Sequence, residues 1–181
     1  MSSLFKAAWT NALSRSFGKF AATKFPAPIQ IGINWLYVKT MGVDMSNFHP
    51  LGEYPSLNAL FTRRLLYPRE LPKDPKAIIS PSDSTITACG DIHDGLLLQI
   101  KGFYYRVDDL LSEHIDREER EMLYHGKYLN FYLSPRDYHR YHVPMDMRVT
   151  KVIHVPGLLY PVNLKFLNRV PELFIKNERL I

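Results

Sequence analysis

The residues best suited to chemistry lie in one short stretch, 134–142, which reads Ser-Pro-Arg-Asp-Tyr-His-Arg-Tyr-His. Ser134 stands three positions before Asp137 and resembles a helix N-cap, so the stretch is predicted to form one short helical turn between two strands. In such a turn the side chains of His139 and His142, three residues apart, can point the same way. The histidine pair is therefore the first candidate for a functional site.

Three kinds of site remain open for these two histidines. A metal site is one, although no glutamate or cysteine stands beside the pair at a metal-binding spacing, and Cys89 is the single cysteine of the chain. A catalytic acid and base is another, because imidazole titrates near neutral pH. The third is a pair of hydrogen-bonded histidines on a surface loop. Spacing and composition do not choose among them.

A second candidate is Asp83, which lies between two serines just before a strand-like segment. An aspartate in such a position commonly hydrogen-bonds to its own backbone in a turn. The alternative is an aspartate that holds a distant histidine in one tautomer, as in a Ser-His-Asp arrangement.

The elements that must position these residues begin with helices. Apolar residues at steps of three or four predict a helix over 3–21, and a similar stripe predicts another over 54–66. Residues 29–41 alternate like a strand at first and are then continuously apolar. We assign them to a helix because Pro28 suits a first helical turn.

The back of the chain is predicted to be rich in strands. Four prolines make residues 67–82 a connecting stretch. One or two helices are predicted over 108–125, and Gly157 is expected to supply an unusual backbone angle in a turn. The predicted strands are 86–88, 96–100, 128–133 and 149–155. The fold class is therefore α+β, with the boundary near residue 70.

The net charge of +5 arises in residues 1–43, which carry five basic residues and no acidic one. The remainder holds 18 basic and 18 acidic residues, which argues against nucleic acid as a partner. The front segment also contains Trp9 and Trp35, and a cationic segment with tryptophans is attracted to an anionic bilayer surface. An ordinary core helix and a targeting segment are the alternatives.

Taken together, these motifs resemble the phosphatidylserine decarboxylase family. The strongest match is the stretch 132–144, and Pro81-Ser82-Asp83-Ser84 resembles the family's aspartate motif, with Ser84 where glycine is usual. The resemblance runs from about residue 30 to the last residue, in the family's order. Further matching segments are 57–65, 101–102, 155–157, 162–163, 170–174 and 177–179.

The resemblance implies a carboxy-lyase of phospholipid biosynthesis, which converts phosphatidylserine to phosphatidylethanolamine and carbon dioxide through a pyruvoyl Schiff base. Members of the family are zymogens that cut themselves before a serine, and that serine becomes the pyruvate-derived cofactor. On the matching positions, Asp83 and His142 would be the aspartate and histidine of the autocatalytic cleavage. His139 would lie beside the pyruvoyl group and donate the proton that replaces carbon dioxide. No metal is implied.

This sequence departs from the family's pattern in its serine. None of its nine glycines is followed by serine, so the pyruvoyl-forming serine is expected beyond this chain, and the chain alone is expected to be inactive. The charge pattern and the change from helices to strands predict a membrane-associating helical segment, 1–70, and the resemblance makes 71–181 the first part of a β-rich decarboxylase domain, here truncated.

The implied partners are the phospholipid substrate, an anionic membrane surface and the C-terminal remainder of the enzyme, its alpha chain. The protein is expected to be peripheral, on the cytoplasmic side of the cell membrane or at the mitochondrial inner membrane. Two rival functions are a non-catalytic membrane-surface module that binds anionic lipid, and a metal-dependent hydrolase that uses His139 and His142.

Overall fold

The computed structural model describes residues 3–98, 104–163 and 169–181. The chain divides into two compact units. We name residues 15–85 with 133–148 the helical unit, and residues 86–132 with 149–181 and the first 14 residues the strand unit. Asp83 and both candidate histidines belong to the helical unit, whereas the boundary near residue 70 stays a prediction. Helices and strands both occur, so the α+β fold class is confirmed.

Two long helices open the chain, as the sequence predicts. Helix α1 spans Ser3–Ala22 and helix α2 spans Ala27–Met41, with a proline in the first turn of α2. Helix α2 ends at Gly42, whose φ of 67° lies in the left-handed region that glycine adopts without steric cost. The Val43 amide then donates to the Val38 carbonyl at 3.0 Å and closes the helix end.

Helix α2 packs with its polar side inward. Its buried residues are Gln30 and Asn34. The Gln30 amide donates to Asn34 Oδ1 at 2.9 Å, and the Asn34 amide donates to the carbonyls of Leu51 and Tyr54, each at 3.0 Å. Other residues of α2 divide between the two faces: Ile33, Tyr37 and Val38 pack half-buried against the core, whereas several apolar residues are exposed. Apolar residues on both faces explain the ambiguous sequence pattern.

The third predicted helix is much shorter than its apolar stripe suggested. Helix α3 spans Leu57–Phe61 and follows a 3-10 turn at Leu51–Glu53, so the prediction of a helix over 54–66 is wrong at both ends. Ser56, in extended conformation, caps the start by accepting the Ala59 amide at 3.1 Å. Beyond Phe61 the chain leaves the helix, and Leu65 forms an antiparallel bridge to Phe48.

The core of the helical unit lies where α2 and α3 meet the end of α1. Leu60 is fully buried, and Ala21, Tyr54 and Leu57 pack in the same cluster. Residues 67–82 form neither helix nor strand, as the prolines predicted. The connecting stretch leads directly to Asp83.

The strand unit contains short strands and short helices. Strand β1 at Thr85–Asp91 pairs with β4 at Lys127–Tyr132, and β2 at Leu96–Leu98 pairs antiparallel with β3 at Tyr104–Arg106. Strand β5 at His154–Val155 pairs antiparallel with β6 at Arg179–Leu180. The helices are α4 at Val107–Leu111, α5 at Arg117–Glu121 and α6 at Leu173–Lys176.

Two of the predicted strands are shorter in the structure or only partly described. The strand predicted over 149–155 is confined to His154–Val155, so its first part is wrong: Val149 and Val152 are exposed and pair with no neighbouring strand among the described residues. The strand predicted over 96–100 is confirmed for Leu96–Leu98, and its last two residues lie outside the described part of the chain.

Gly157 serves a different purpose from the predicted one. Its φ is not positive, so it supplies no unusual backbone angle. A Cβ atom at this position would instead lie 2.5 Å from the amide nitrogen of Glu178 and 2.6 Å from the carbonyl carbon of Asn177. Glycine is therefore required because another backbone segment passes too close for any side chain.

Candidate functional site

The histidine stretch is a tight turn followed by irregular backbone, and not the short helix predicted from its N-cap pattern. The Asp137 amide donates to the Ser134 carbonyl at 2.9 Å, and the Ser134 amide donates to the Asp137 carboxylate at 2.6 Å. The hydroxyl of Ser134 is buried and has no hydrogen-bond partner among the described residues, so it does not act as an N-cap there. We name residues 134–142 the histidine loop.

Helices α2 and α3 hold the histidine loop from two sides. The hydroxyl of Tyr37, on α2, donates to the Pro135 carbonyl at 2.5 Å. The Nε of Arg140 donates to the Thr62 carbonyl, just beyond α3, at 2.8 Å. The helices thus fix the loop through backbone carbonyls, which the sequence pattern alone does not reveal.

Arg63 makes the deepest of these contacts. Its Nη2 donates to the carbonyls of Arg136 and Asp137, at 2.9 and 3.1 Å. The side chain is only 2% exposed, and its guanidinium lies 4.5 Å from the ring centre of Phe48. Burial lowers the pKa of the Arg63 guanidinium, because removal from water disfavours its charged form.

His139 is fixed by a backbone carbonyl and an aromatic ring. Its Nδ1 lies 3.0 Å from the Asp137 carbonyl, and the ring centres of His139 and Phe61 are 3.9 Å apart. A carbonyl oxygen can only accept a hydrogen bond, so Nδ1 carries a proton whether the ring is neutral or charged. Within the described chain Nε2 has no hydrogen-bond partner.

His142 lies against the segment that carries Asp83. Its backbone amide donates to the Pro81 carbonyl at 2.7 Å, and the Ile79 amide donates to the Pro144 carbonyl at 3.0 Å. The His142 ring stacks on Tyr138, with Nε2 at 3.3 Å from the tyrosine hydroxyl. The structure therefore places the aspartate motif and the second histidine on adjoining segments.

Asp83 pairs with a residue that the sequence did not indicate. Arg69 donates through Nη1 and Nη2 to the two carboxylate oxygens of Asp83, at 2.5 and 2.6 Å. This hydrogen bonding, together with the positive charge of Arg69, lowers the pKa of the Asp83 carboxyl. Asp83 is thus charged at neutral pH. No hydrogen bond joins it to either histidine, although all three residues are described.

A cavity of about 360 Å³ opens beside these groups. Its lining includes Arg63, Arg69, Asp83 and Tyr138. The metal alternative gains no support from the described part of the chain, where no group of three or more histidine, cysteine or acidic side chains could hold a metal ion.

Sequence comparison defines the class of protein. Residues 57–181 match the family model for phosphatidylserine decarboxylase. The chain is 46% identical over 173 residues to the phosphatidylserine decarboxylase proenzyme of Helicobacter pylori (strain 26695), covering 96% of this chain and 63% of that protein.

Two further relatives carry the same name. The Campylobacter jejuni proenzyme is 45% identical, with 92% of this chain and 62% of that protein covered, and the Coxiella burnetii proenzyme is 35% identical, with 100% and 64% covered. This chain belongs to the phosphatidylserine decarboxylase family. It spans less than two thirds of the length of these curated relatives.

Proposed function

We propose that the protein is a phosphatidylserine decarboxylase, which converts phosphatidylserine to phosphatidylethanolamine and carbon dioxide. The observation that supports this most directly is the histidine loop, which lies against the Asp83 segment in a chain whose relatives are named as proenzymes of this activity. A pyruvoyl group, formed from a serine in the complete protein, would supply the electron sink for loss of carbon dioxide.

The hydrogen bonding of His139 fits a carbonyl cofactor of this kind. Nδ1 of His139 is committed to the backbone, and Nε2 has no hydrogen-bond partner in the part of the chain that the structure describes, as a proton donor to a neighbouring group requires. We assign to His139 the transfer of a proton from Nε2 to the substrate carbon that has lost carbon dioxide.

The remaining two residues are assigned to maturation. His142 removes the hydroxyl proton of the serine that attacks its own backbone, and Asp83 stabilises the resulting imidazolium. The bidentate bond from Arg69 occupies two of about four acceptor positions on the Asp83 carboxylate, so acceptor capacity remains for an imidazole N–H.

Substitution of His139 separates decarboxylation from maturation. In the complete proenzyme, His139→Ala should still be cut but should form phosphatidylethanolamine at least about 100-fold more slowly, because a positioned proton donor contributes about 10²–10⁴-fold. Gel mobility measures cutting, and chromatography of the lipid product measures decarboxylation. His125→Ala is the control, since that side chain is 77% exposed in the strand unit. Normal product formation by His139→Ala would contradict the assignment.

We further propose that helices α1 and α2 bind an anionic membrane surface, which would bring the protein to its lipid substrate. Among the described residues, no helix is long and apolar enough to cross a membrane. Phe17 of α1 is 60% exposed, and Trp35 and Leu36 of α2 are 51% and 55% exposed. Lys39 lies over the Trp35 ring at 4.7 Å, so a cation accompanies the exposed aromatic side chain.

Vesicle binding tests the membrane proposal. The complete protein should bind vesicles that contain anionic phospholipid, and salt should weaken binding because it screens exposed charges. Phe17→Ser and Trp35→Ser should each weaken binding about tenfold or more, since each removes a large apolar group from the contact. Met122→Ser, at a position of the strand unit that is 82% exposed, should change nothing. Equal binding to neutral vesicles, insensitive to salt, would exclude a role for charge.

A further inference from the structure

Arg63 occupies a position that fold stability does not explain. Its guanidinium is buried, yet among the described residues no carboxylate lies within ion-pair distance, and Nε and Nη1 have no hydrogen-bond partner there. Exposed Arg64, its neighbour in sequence, makes no hydrogen bond among the described residues. A buried cation without an anionic partner costs stability, and an apolar residue of similar size is often equal or better at such a site. The two hydrogen bonds that the Arg63 side chain does make therefore indicate its role.

Both of those hydrogen bonds go to the histidine loop. The acceptors are the carbonyls of two consecutive residues, Arg136 and Asp137, and Asp137 stands two positions before His139. The Asp137 carbonyl accepts from Arg63 Nη2 at 3.1 Å and faces His139 Nδ1 at 3.0 Å. A carbonyl oxygen has two lone pairs, so it can serve both donors at once.

The shared carbonyl decides which nitrogen of His139 is available for chemistry. Because Arg63 holds this carbonyl in place, Nδ1 keeps its proton as a donor and Nε2 remains the nitrogen that gains or loses one. The Phe61 ring, with its centre 3.9 Å from that of His139, limits rotation of the imidazole. When Nε2 of the charged ring gives a proton to a substrate carbon, the ring becomes neutral with its remaining proton on Nδ1.

We propose that Arg63 is a positioning residue, which fixes the tautomer and orientation of His139 through the Asp137 carbonyl. The consequence for turnover rests on the proposed function, whereas the consequence for the tautomer does not. Arg63 itself touches no reacting atom in this assignment. It acts entirely through the backbone of the histidine loop.

Three variants of the complete proenzyme test the proposal. Arg63→Met removes both hydrogen bonds and the charge but keeps an unbranched aliphatic stem. Arg63→Lys keeps a cation that can donate to the carbonyls without the planar fork of arginine. Arg64→Met is the matched control, because Arg64 is the exposed neighbour.

Turnover per pyruvoyl group formed is the first measurement. Arg63→Met should lower kcat by about 10- to 100-fold with KM little changed, since a small misplacement of a reacting group can cost about 100-fold. Arg63→Lys should restore part of the loss, and Arg64→Met should match the wild type. The melting temperature is measured alongside, because Arg63→Met leaves the Arg136 carbonyl without its donor. A melting temperature that falls, with kcat unchanged in the remaining folded protein, would show a purely structural role and overturn the proposal.

Nuclear magnetic resonance of the imidazole nitrogens is the second measurement and needs no activity. In protein with ¹⁵N-labelled histidines, the resonances of His139 are identified by their loss in His139→Gln. The wild type should show one neutral tautomer with the proton on Nδ1, and Arg63→Met should show a mixture of the two. A single unchanged tautomer in Arg63→Met would overturn the proposal. If the wild-type protein is neither cut nor active, the proposed function fails, and the tautomer measurement still decides the role of Arg63.

Discussion

Replacement of His142 by alanine is expected to leave the complete proenzyme uncut. A serine hydroxyl is a weak nucleophile until a base removes its proton, and His142 is the residue assigned to that task. In a serine protease, loss of the histidine base lowers kcat about 10⁶-fold. Even a much smaller decrease in the rate of self-cleavage would leave no cut chain on the time scale of expression.

The appearance of the two cut chains on a denaturing gel, followed over hours, measures this effect. His125→Ala, on the exposed surface of the strand unit, should be cut at the wild-type rate. If both histidines of the loop were only surface residues, His142→Ala would be cut normally as well. Normal cutting by His142→Ala would therefore remove it from the maturation step.

Replacement of Asp83 by alanine is expected to slow self-cleavage by about four orders of magnitude, the loss seen when the aspartate of a Ser-His-Asp arrangement is replaced. Without the carboxylate, the imidazole of His142 spends time in the wrong tautomer and its charged form loses a stabilising anion. Because Arg69 lowers the pKa of the Asp83 carboxyl, the wild-type residue stays charged through mildly acidic pH.

Arg69→Met distinguishes an orienting role from a mere ion pair. Arg69 and Asp83 form an exposed pair in the structure, and such pairs contribute little to stability. If Asp83 orients His142, loss of Arg69 should slow cleavage far less than loss of Asp83, because the carboxylate remains. Equal slowing in both variants would mean that Asp83 matters only as the partner of Arg69. Cleavage rates from gel densitometry decide between the two.

Sequence patterns predicted the helices better than the ends of the elements. The period of apolar residues in α1 and the proline at the start of α2 are local signals, and both helices are confirmed. The third helix was overestimated because the apolar stripe beyond Phe61 does not lie on one helix face: Leu65 is half-buried in a bridge to Phe48, and Leu66 is exposed. Arg63 is buried against the histidine loop, which lies 73 positions along the chain from it.

The sequence offers candidate residues for the site, which stay a prediction, but it does not indicate their contacts. His139, His142 and Asp83 are noticeable in the sequence because of their types and spacing. Arg69 lies 14 positions from Asp83, in a proline-rich stretch without periodicity, so no pattern connects them. The hydrogen bonds of Tyr37 and Arg63 to backbone carbonyls also leave no signal in the sequence, since any residue can provide a carbonyl.

The inward amides of α2 have a consequence for protein engineering. A surface helix normally packs through an apolar stripe and presents polar residues to water. Here Gln30 and Asn34 anchor the helix, whereas Ile29, Trp35 and Leu36 face outward and are more than half exposed. Hydrophilic substitutions at the three outward positions should therefore make the protein more soluble and keep the hydrogen bonds of the anchoring amides, while they remove the proposed membrane contact.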